Sequence, residues 1–454
     1  MLYLDTIMKL SYLKSASVII ENNGIKILCD PWLVDGEYYG SWYHYPPLNF
    51  KPEKYNEVDY IYISHIHLDH FSPKTLKKMN KKIPVIILKY IDKFLKNNLE
   101  RLGFEVIELE HNLRIPLKGN LWIKILAADY CNPELCNVQT GCSSIEIKYG
   151  VTHIDSMCVI DNDEQVIVNT NDCPFELAKT SVLDIVKNYK KIDVLLVGYA
   201  GAGPYPQCFE MLNEFEKNIA AEKKEKQFFK QSEEYVNLLN PKYFMPFAGR
   251  YTLSGNLSSL NYMRGVPEIE EAYDYFYYES NIDKNKSRCF LLNSEESFDL
   301  TSACCSNSYI PIDVNEKKKY VDQYMTIQKF DYEDEIVNDE DIEKLIPLAY
   351  ERFERKRNEI NFKSNCKVLL PIPNNKCVII PFTGDGLSIF SNVDLPQFDY
   401  YVQFTVNPKL LKWILKGPKF AHWNNAEIGS HIKFNRYPNI FERGVYHCMS
   451  YFHS

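Results

Sequence analysis

Residues 62–72 read YISHIHLDHFS, which puts three histidines of a chain that has ten into six positions. They follow the β-like run Tyr60-Ile61-Tyr62-Ile63. Side chains two apart at a strand end lie on one side, so His65 and His67 can share one cation. Asp69 and His70 then turn toward a second cation beside it. Imidazole with carboxylate suits zinc, iron or manganese better than calcium or magnesium. Two such ions lie about 3.5–4 Å apart and need a bridging carboxylate. A fold that uses this stretch must leave the carboxyl end of its strand open at an edge.

The surrounding chain supplies such a fold. Asn23-Gly24 between two apolar runs in SYLKSASVIIENNGIKILCDPWL is a hairpin signal, with one strand read on each side. Ser72 caps a helix that has Pro73 at its first position. Strands and helices then alternate through PVIILK, DKFLKNNLERLG, FEVIELE, LWIKILAAD, SSIEIKYG, DSMCVIDN, EQVIVNTND, FELAKTSVLDIVKNYKK and IDVLLVGYAG. A long helical segment covers about 209–240. This alternation predicts a layered α/β domain over 1–255. Residues 256–330 read as an extension of that core or a linker. The acidic stretch 330–345 marks a boundary, and 331–454 reads as a smaller C-terminal α/β module.

Charge and composition exclude some classes. A net charge of −8 argues against a nucleic-acid binder that works by phosphate neutralisation. No apolar run approaches the roughly 18 residues of a membrane span, and the N-terminus has no secretory pattern. The thirteen scattered cysteines fit free thiols in a reducing cytoplasm. CNPELC (131–136) is a weak zinc signal without a second pair.

SHIHLDHFS resembles the HxHxDH motif of the metallo-β-lactamase superfamily. SASVIIENNGIKILCDPWL is similar to the hairpin ahead of that motif, and VIVNTND to the strand that ends in its bridging aspartate. The resemblance covers about residues 9 to 255 and implies an αββα sandwich with metals at one edge. It implies His65 and His67 on the first metal, Asp69 and His70 on the second, and Asp172 between them. Its third histidine for the first metal is assigned to His153, with His111 as competitor. The family's later histidine has no counterpart, because no histidine lies between 172 and 422. His422 or His44 is left to reach in, or else one ion only is held.

Flanking segments, among them VGYAGAGPYPQCF, FMPFAGRYTLSG and AEIGSHIKFNRYP, resemble the lactamase-type part of the CMP-N-acetylneuraminate hydroxylase group. The Rieske pattern of that group, CxH followed by CxxH, does not occur in this sequence. Two further loops are candidate substrate contacts. YYGSWYHYPP (38–47) offers aromatic surface, with Trp42 and His44 assigned to substrate. GAGPYP (201–206) reads as a tight turn or a phosphate cradle, flanked by Tyr199 and Tyr205.

The expectation is a metalloenzyme with zinc or iron, one or two ions per chain, and a small-molecule substrate containing phosphate or sugar. A hydrolase is favoured, with Asp69 and His70 positioning the nucleophile. The alternatives are an iron-dependent oxygenase fed by an external electron donor and a non-catalytic protein with a relic site.

Overall fold

The computed structural model describes residues 8–90, 92–128 and 155–454. The strand SSIEIKYG, the CNPELC pair and His153 lie outside them.

Two mixed sheets pack face to face. The first runs, in spatial order, 304–305, 297–299, 8–14, 17–22, 25–29, 60–62, 85–88 and 106–109. The second runs 288–289, 243–247, 194–198, 166–169, 156–161, 122–127 and 114–116. Between them lies an apolar layer that includes Leu10, Ile27, Ile125, Ile160, Leu196 and Met245. The outer face of the first sheet is covered by loops and short helices through Leu28, Ile61, Val85 and Leu99. The second buries Val159, Val168 and Leu195 under the helices Phe175–Asn188 and Glu214–Leu239. This is an αββα sandwich.

Local chemistry explains the elements. Asn23 and Gly24 both take positive φ, 50° and 84°, which is what a two-residue turn between twisted strands requires. Ser72 accepts from Thr75 N at 3.1 Å and so caps its short helix. Asn213 and Glu216 form a capping box that starts the long helix at 214. The run KLSYLKSASVII, read as one strand, is two. Ser15 turns the chain at φ 45°, so Met8–Lys14 pairs antiparallel with Ser17–Asn22.

The sandwich does not end at 255, since short strands at 288–289, 297–299 and 304–305 close both sheets. A separate five-stranded sheet, ordered 388–391, 376–381, 367–372, 401–406 and 432–437, builds the C-terminal module with the helices Asp339–Glu359, Pro408–Leu415, Trp423–Ile428 and Arg443–Met449. Phe353, Leu370, Phe404, Trp423 and Phe434 fill its core. Phe330 and Tyr332 belong to that core too, so the acidic stretch is packed rather than a loose linker. No helix among the described residues is long and apolar enough to cross a membrane.

The module is docked onto the sandwich through polar contacts. His431 is buried, with Nε2 2.8 Å from Tyr38 O and Nδ1 3.0 Å from Tyr332 OH. A carbonyl only accepts, so Nε2 carries the proton and Nδ1 accepts from the tyrosine. Burial, partly opposed by the Tyr38 carbonyl, lowers its pKa from 6.5 to about 4. The unfolded chain therefore binds the proton near pH 6.5, the folded chain near 4, and stability falls with pH between the two. The loss reaches about 3 kcal/mol at the acid end of that window. Urea melts from pH 7 to 4 should show this slope, and His431→Phe should flatten it. Equal slopes in both proteins would remove His431 as its source.

Candidate metal centre

The topology brings the polar residues to one edge. The strands Ile25–Cys29, Tyr60–Tyr62, Val166–Asn169 and Val194–Gly198 end there, in parallel pairs. Ser156–Asp161 is antiparallel to its neighbours and therefore begins there. Carboxyl ends of parallel strands are where open sheets place ligands. Asp30, the 64–70 loop, Asp155 and Asp172 thus converge from separate segments. Ser156 ties the two sheets together at this point, its Oγ donating to Ser64 O at 2.7 Å.

Two groups of potential ligand atoms share one carboxylate: His65, His67 and Asp172, and Asp69, His70 and Asp172. His65 Nε2 lies 3.0 Å from His67 Nδ1 and 3.8 Å from Asp172 Oδ2. His70 Nε2 lies 3.3 Å from Asp172 Oδ2 and 3.6 Å from Asp69 Oδ2. Two imidazole nitrogens at 3.0 Å match two ligands of one cation at about 2.0–2.1 Å each.

The surrounding hydrogen bonds set the imidazoles. Asp30 is fully buried and accepts from Ser64 N and Ser64 Oγ, both at 2.7 Å. His70 Nδ1 lies 2.8 Å from Asp30 Oδ2. A carboxylate cannot donate, so Nδ1 carries the proton and Nε2 presents its lone pair. Among the described residues that buried Nε2 makes no hydrogen bond of good geometry, and Asp172 Oδ2 lies 3.3 Å from it. Ser64 Oγ spends its proton on Asp30, so it accepts from His65 Nδ1 at 2.9 Å and turns His65 Nε2 toward His67. Tyr38 OH donates to Asp69 Oδ1 at 2.5 Å and accepts from Leu68 N at 3.1 Å. Asn424, from the C-terminal module, lies beside His67 and favours its charged form.

Electrostatics point the same way. Burial, reinforced by the charge of Asp172, pushes the Asp155 carboxyl well above its usual range. Burial and then Asp172 also raise Asp69, although His70 opposes them. For His70, burial favours the neutral ring, but Asp172, Asp69 and Asp30 together outweigh it and raise its pKa. Three carboxylates, one of them partly exposed, and three imidazoles crowded together at one edge are costly unless a cation joins them. A divalent ion inverts that balance.

Of the residues assigned from the sequence, His65, His67, Asp69, His70 and Asp172 are brought together. His153 falls outside the described residues. His111 is not in the cluster, and its Nδ1 accepts from Ala127 N at 3.0 Å. His422 caps the helix at 423 through Nδ1, and His44 faces Asp35 at 2.7 Å. Trp42 is buried and stacks on Tyr251 at 3.5 Å. Tyr199 is buried, while Tyr205 is exposed and packs edge-on against Phe209. The sequence reading missed Asp155, whose Oδ1 is 3.6 Å from His65 Nε2. It also gave Asp30 and Asn424 no role and placed Tyr38 only in the aromatic substrate loop. Only the Asp-Pro pair after the second hairpin strand signalled one of them.

Tyr38→Phe removes a hydrogen bond to a charged group, about 1.5–3 kcal/mol, and lets Asp69 move. Metal affinity should fall about 10- to 100-fold, read by chelator competition. Unchanged affinity would make Tyr38 a packing residue only.

Residues 9–129 match the model of the beta-lactamase superfamily domain. The chain carries a beta-lactamase superfamily domain. Among curated proteins it is similar to one of Mycolicibacterium smegmatis that carries the name Rieske 2Fe-2S iron-sulfur protein, at 28% identity over 57% of this chain and 47% of that one. It is also similar to cytidine monophosphate-N-acetylneuraminic acid hydroxylase of Xenopus laevis, at 21% identity over 95% of this chain and 70% of that one. The chain spans about half the length of the first of these relatives. Among solved structures, CmlA, a diiron beta-hydroxylase from Streptomyces venezuelae, matches with a TM-score of 0.42 at 17% identity, over 64% of this chain and 53% of that one.

Proposed function

We propose that this protein is an iron-dependent oxygenase that hydroxylates a small molecule, in preference to the hydrolase that the motif alone suggests. The observation that carries this reading is Asp155, with Oδ1 3.6 Å from His65 Nε2. It places a third, buried carboxylate beside ligand groups that hold two carboxylates and three imidazoles. Carboxylate-rich sets with imidazole suit iron at least as well as zinc. The similarity to a hydroxylase along nearly the whole chain, C-terminal module included, supports the same choice.

His65, His67 and Asp155 would hold one ion, Asp69 and His70 the other, with Asp172 between them. Bound iron would supply dioxygen activation, with two electrons from a donor outside these 454 residues. The chain's own part is positional. The Asp30–Ser64 pair fixes both ring tautomers, and Tyr38 fixes Asp69. The side chain of Asp172 is 33% exposed, so the cluster opens to solvent and substrate on that side.

The test is oxygen uptake by protein loaded with ferrous iron under anaerobic conditions and reduced by a dithionite-mediator mix. The expected result is stoichiometric uptake that Asp155→Ala abolishes. No uptake, together with zinc-supported hydrolysis of a phosphodiester or amide, would transfer the site to hydrolase chemistry.

A further inference from the structure

Beyond the metal cluster, the same sheet edge carries a second concentration of charge. The strand Met8–Lys14 ends there, and the chain leaving Tyr243–Phe247 reaches Arg250 there, where Ala248 N donates to Ser15 O at 3.1 Å. Between them lies a cavity of about 310 Å³ lined by Tyr12, Lys14, His44, Tyr45, Arg250 and the 310–313 segment, among others.

Its polar groups are unbalanced. Lys14 is buried, and its ammonium has a carbonyl partner, Pro46 O at 2.8 Å, but no carboxylate within 4.0 Å among the described residues. Arg250 lies beside the Tyr12 hydroxyl, and among the described residues its buried Nη2 has no hydrogen-bond partner. Burial first, and then repulsion by Arg250, lowers the Lys14 pKa to about 8. His44 is 2% exposed; Asp35 engages its Nδ1, and its buried Nε2 has no hydrogen-bond partner among the described residues. Asp35, engaged by His44, attracts Lys14, and Glu268 attracts Arg250, but neither lies within 4.0 Å of its cation. Lys317 is paired with Glu268, Arg264 donates to Tyr251 O at 2.7 Å, and Asp313 sits exposed at the rim as the cap of its own helix. Two cations held against each other in a chain of net charge −8 leave room for one missing anion.

We propose that this cavity is an anion-binding subsite, in which Lys14 and Arg250 receive the phosphate or carboxylate group of a small molecule, and the neutral His44 lines its wall. Tyr12, Tyr45 and Ile310 offer apolar surface to the body that carries it. Arg presents a fork of donors suited to such oxyanions, and a lysine adds a point charge. An aromatic wall joins the subsite to the metal edge. Trp32 lies 3.8 Å from His44 and 5.8 Å from Trp42, and Trp42 lies 4.4 Å from Tyr38, the residue that holds Asp69. That the anion belongs to the substrate rests on the oxygenase reading; that the cavity binds an anion does not.

The test is thermal unfolding of the full chain titrated with inorganic phosphate and, separately, acetate, each against sodium chloride at matched ionic strength. A ligand of the folded state raises Tm in a saturable way. The expected result is such a rise for at least one of the two anions, and the tighter one names the group. Its midpoint should move up at least about tenfold in Arg250→Gln and in Lys14→Met. Lys14→Met should also raise the Tm of the protein without added anion, by relieving repulsion. His67→Ala, stripped of metal, should keep the wild-type midpoint. No rise beyond chloride, an unchanged midpoint in both variants, or loss of the effect in His67→Ala would overturn the assignment. The metal content of the same preparations judges the metal centre independently.

Discussion

Asp172→Asn should empty the metal centre and lower activity by at least about 100-fold, a floor set by what loss of mere supporting residues costs. Asp172 Oδ2 is the atom common to both ligand groups, 3.8 Å from His65 Nε2 and 3.3 Å from His70 Nε2. An amide keeps the shape but removes the negative charge and half the acceptor capacity that two cations share. It also removes one of the charges that raise His70, although burial remains the largest influence there and works the other way. The side chain is partly exposed, so folding should survive, with Tm in the presence of chelator within about 1 °C of wild type, as for surface substitutions. Metal content and circular dichroism check both halves. Retention of both ions would show that Asp172 is not the bridge.

Asp30→Ala should act in the opposite way, through the fold. Asp30 is fully buried and receives three donors, Ser64 N, Ser64 Oγ and His70 Nδ1, each within 2.8 Å. Removing it strands all three in a dry environment, which costs about 3–5 kcal/mol when one partner of a buried charged pair is lost. Chemical denaturation should show that loss in metal-free protein. Metal affinity should fall 10- to 100-fold as well, since the tautomers of His65 and His70 lose their anchor. A stability change under about 1 kcal/mol would mean that water replaces the carboxylate.

These two residues show how far the sequence could be read. The 64–70 loop was legible because one short segment supplies four groups after an apolar strand. Asp172 was legible only through the resemblance of VIVNTND to the superfamily strand that ends in a bridging aspartate. Asp155 was not, because a histidine two positions earlier fits the usual spacing and only the packing of the second sheet brings this carboxylate to His65. Asn424 was beyond reach for a similar reason. It is more than 350 residues from His67 and arrives with a module whose docking depends on His431 and Tyr38. The strands after 288 are two or three residues long, too short for any alternation to show. The division of KLSYLKSASVII rests on a positive φ at a serine, which no residue preference announces.

The account stands on a dinuclear iron centre, and metal analysis by inductively coupled plasma mass spectrometry addresses it most directly. The protein is purified anaerobically as wild type and as His67→Ala. About two irons per chain in the wild type, with most of the metal gone in the variant, is the expected result. Zinc in place of iron would contradict the oxygenase assignment, and absence of any metal from both proteins would contradict the centre itself.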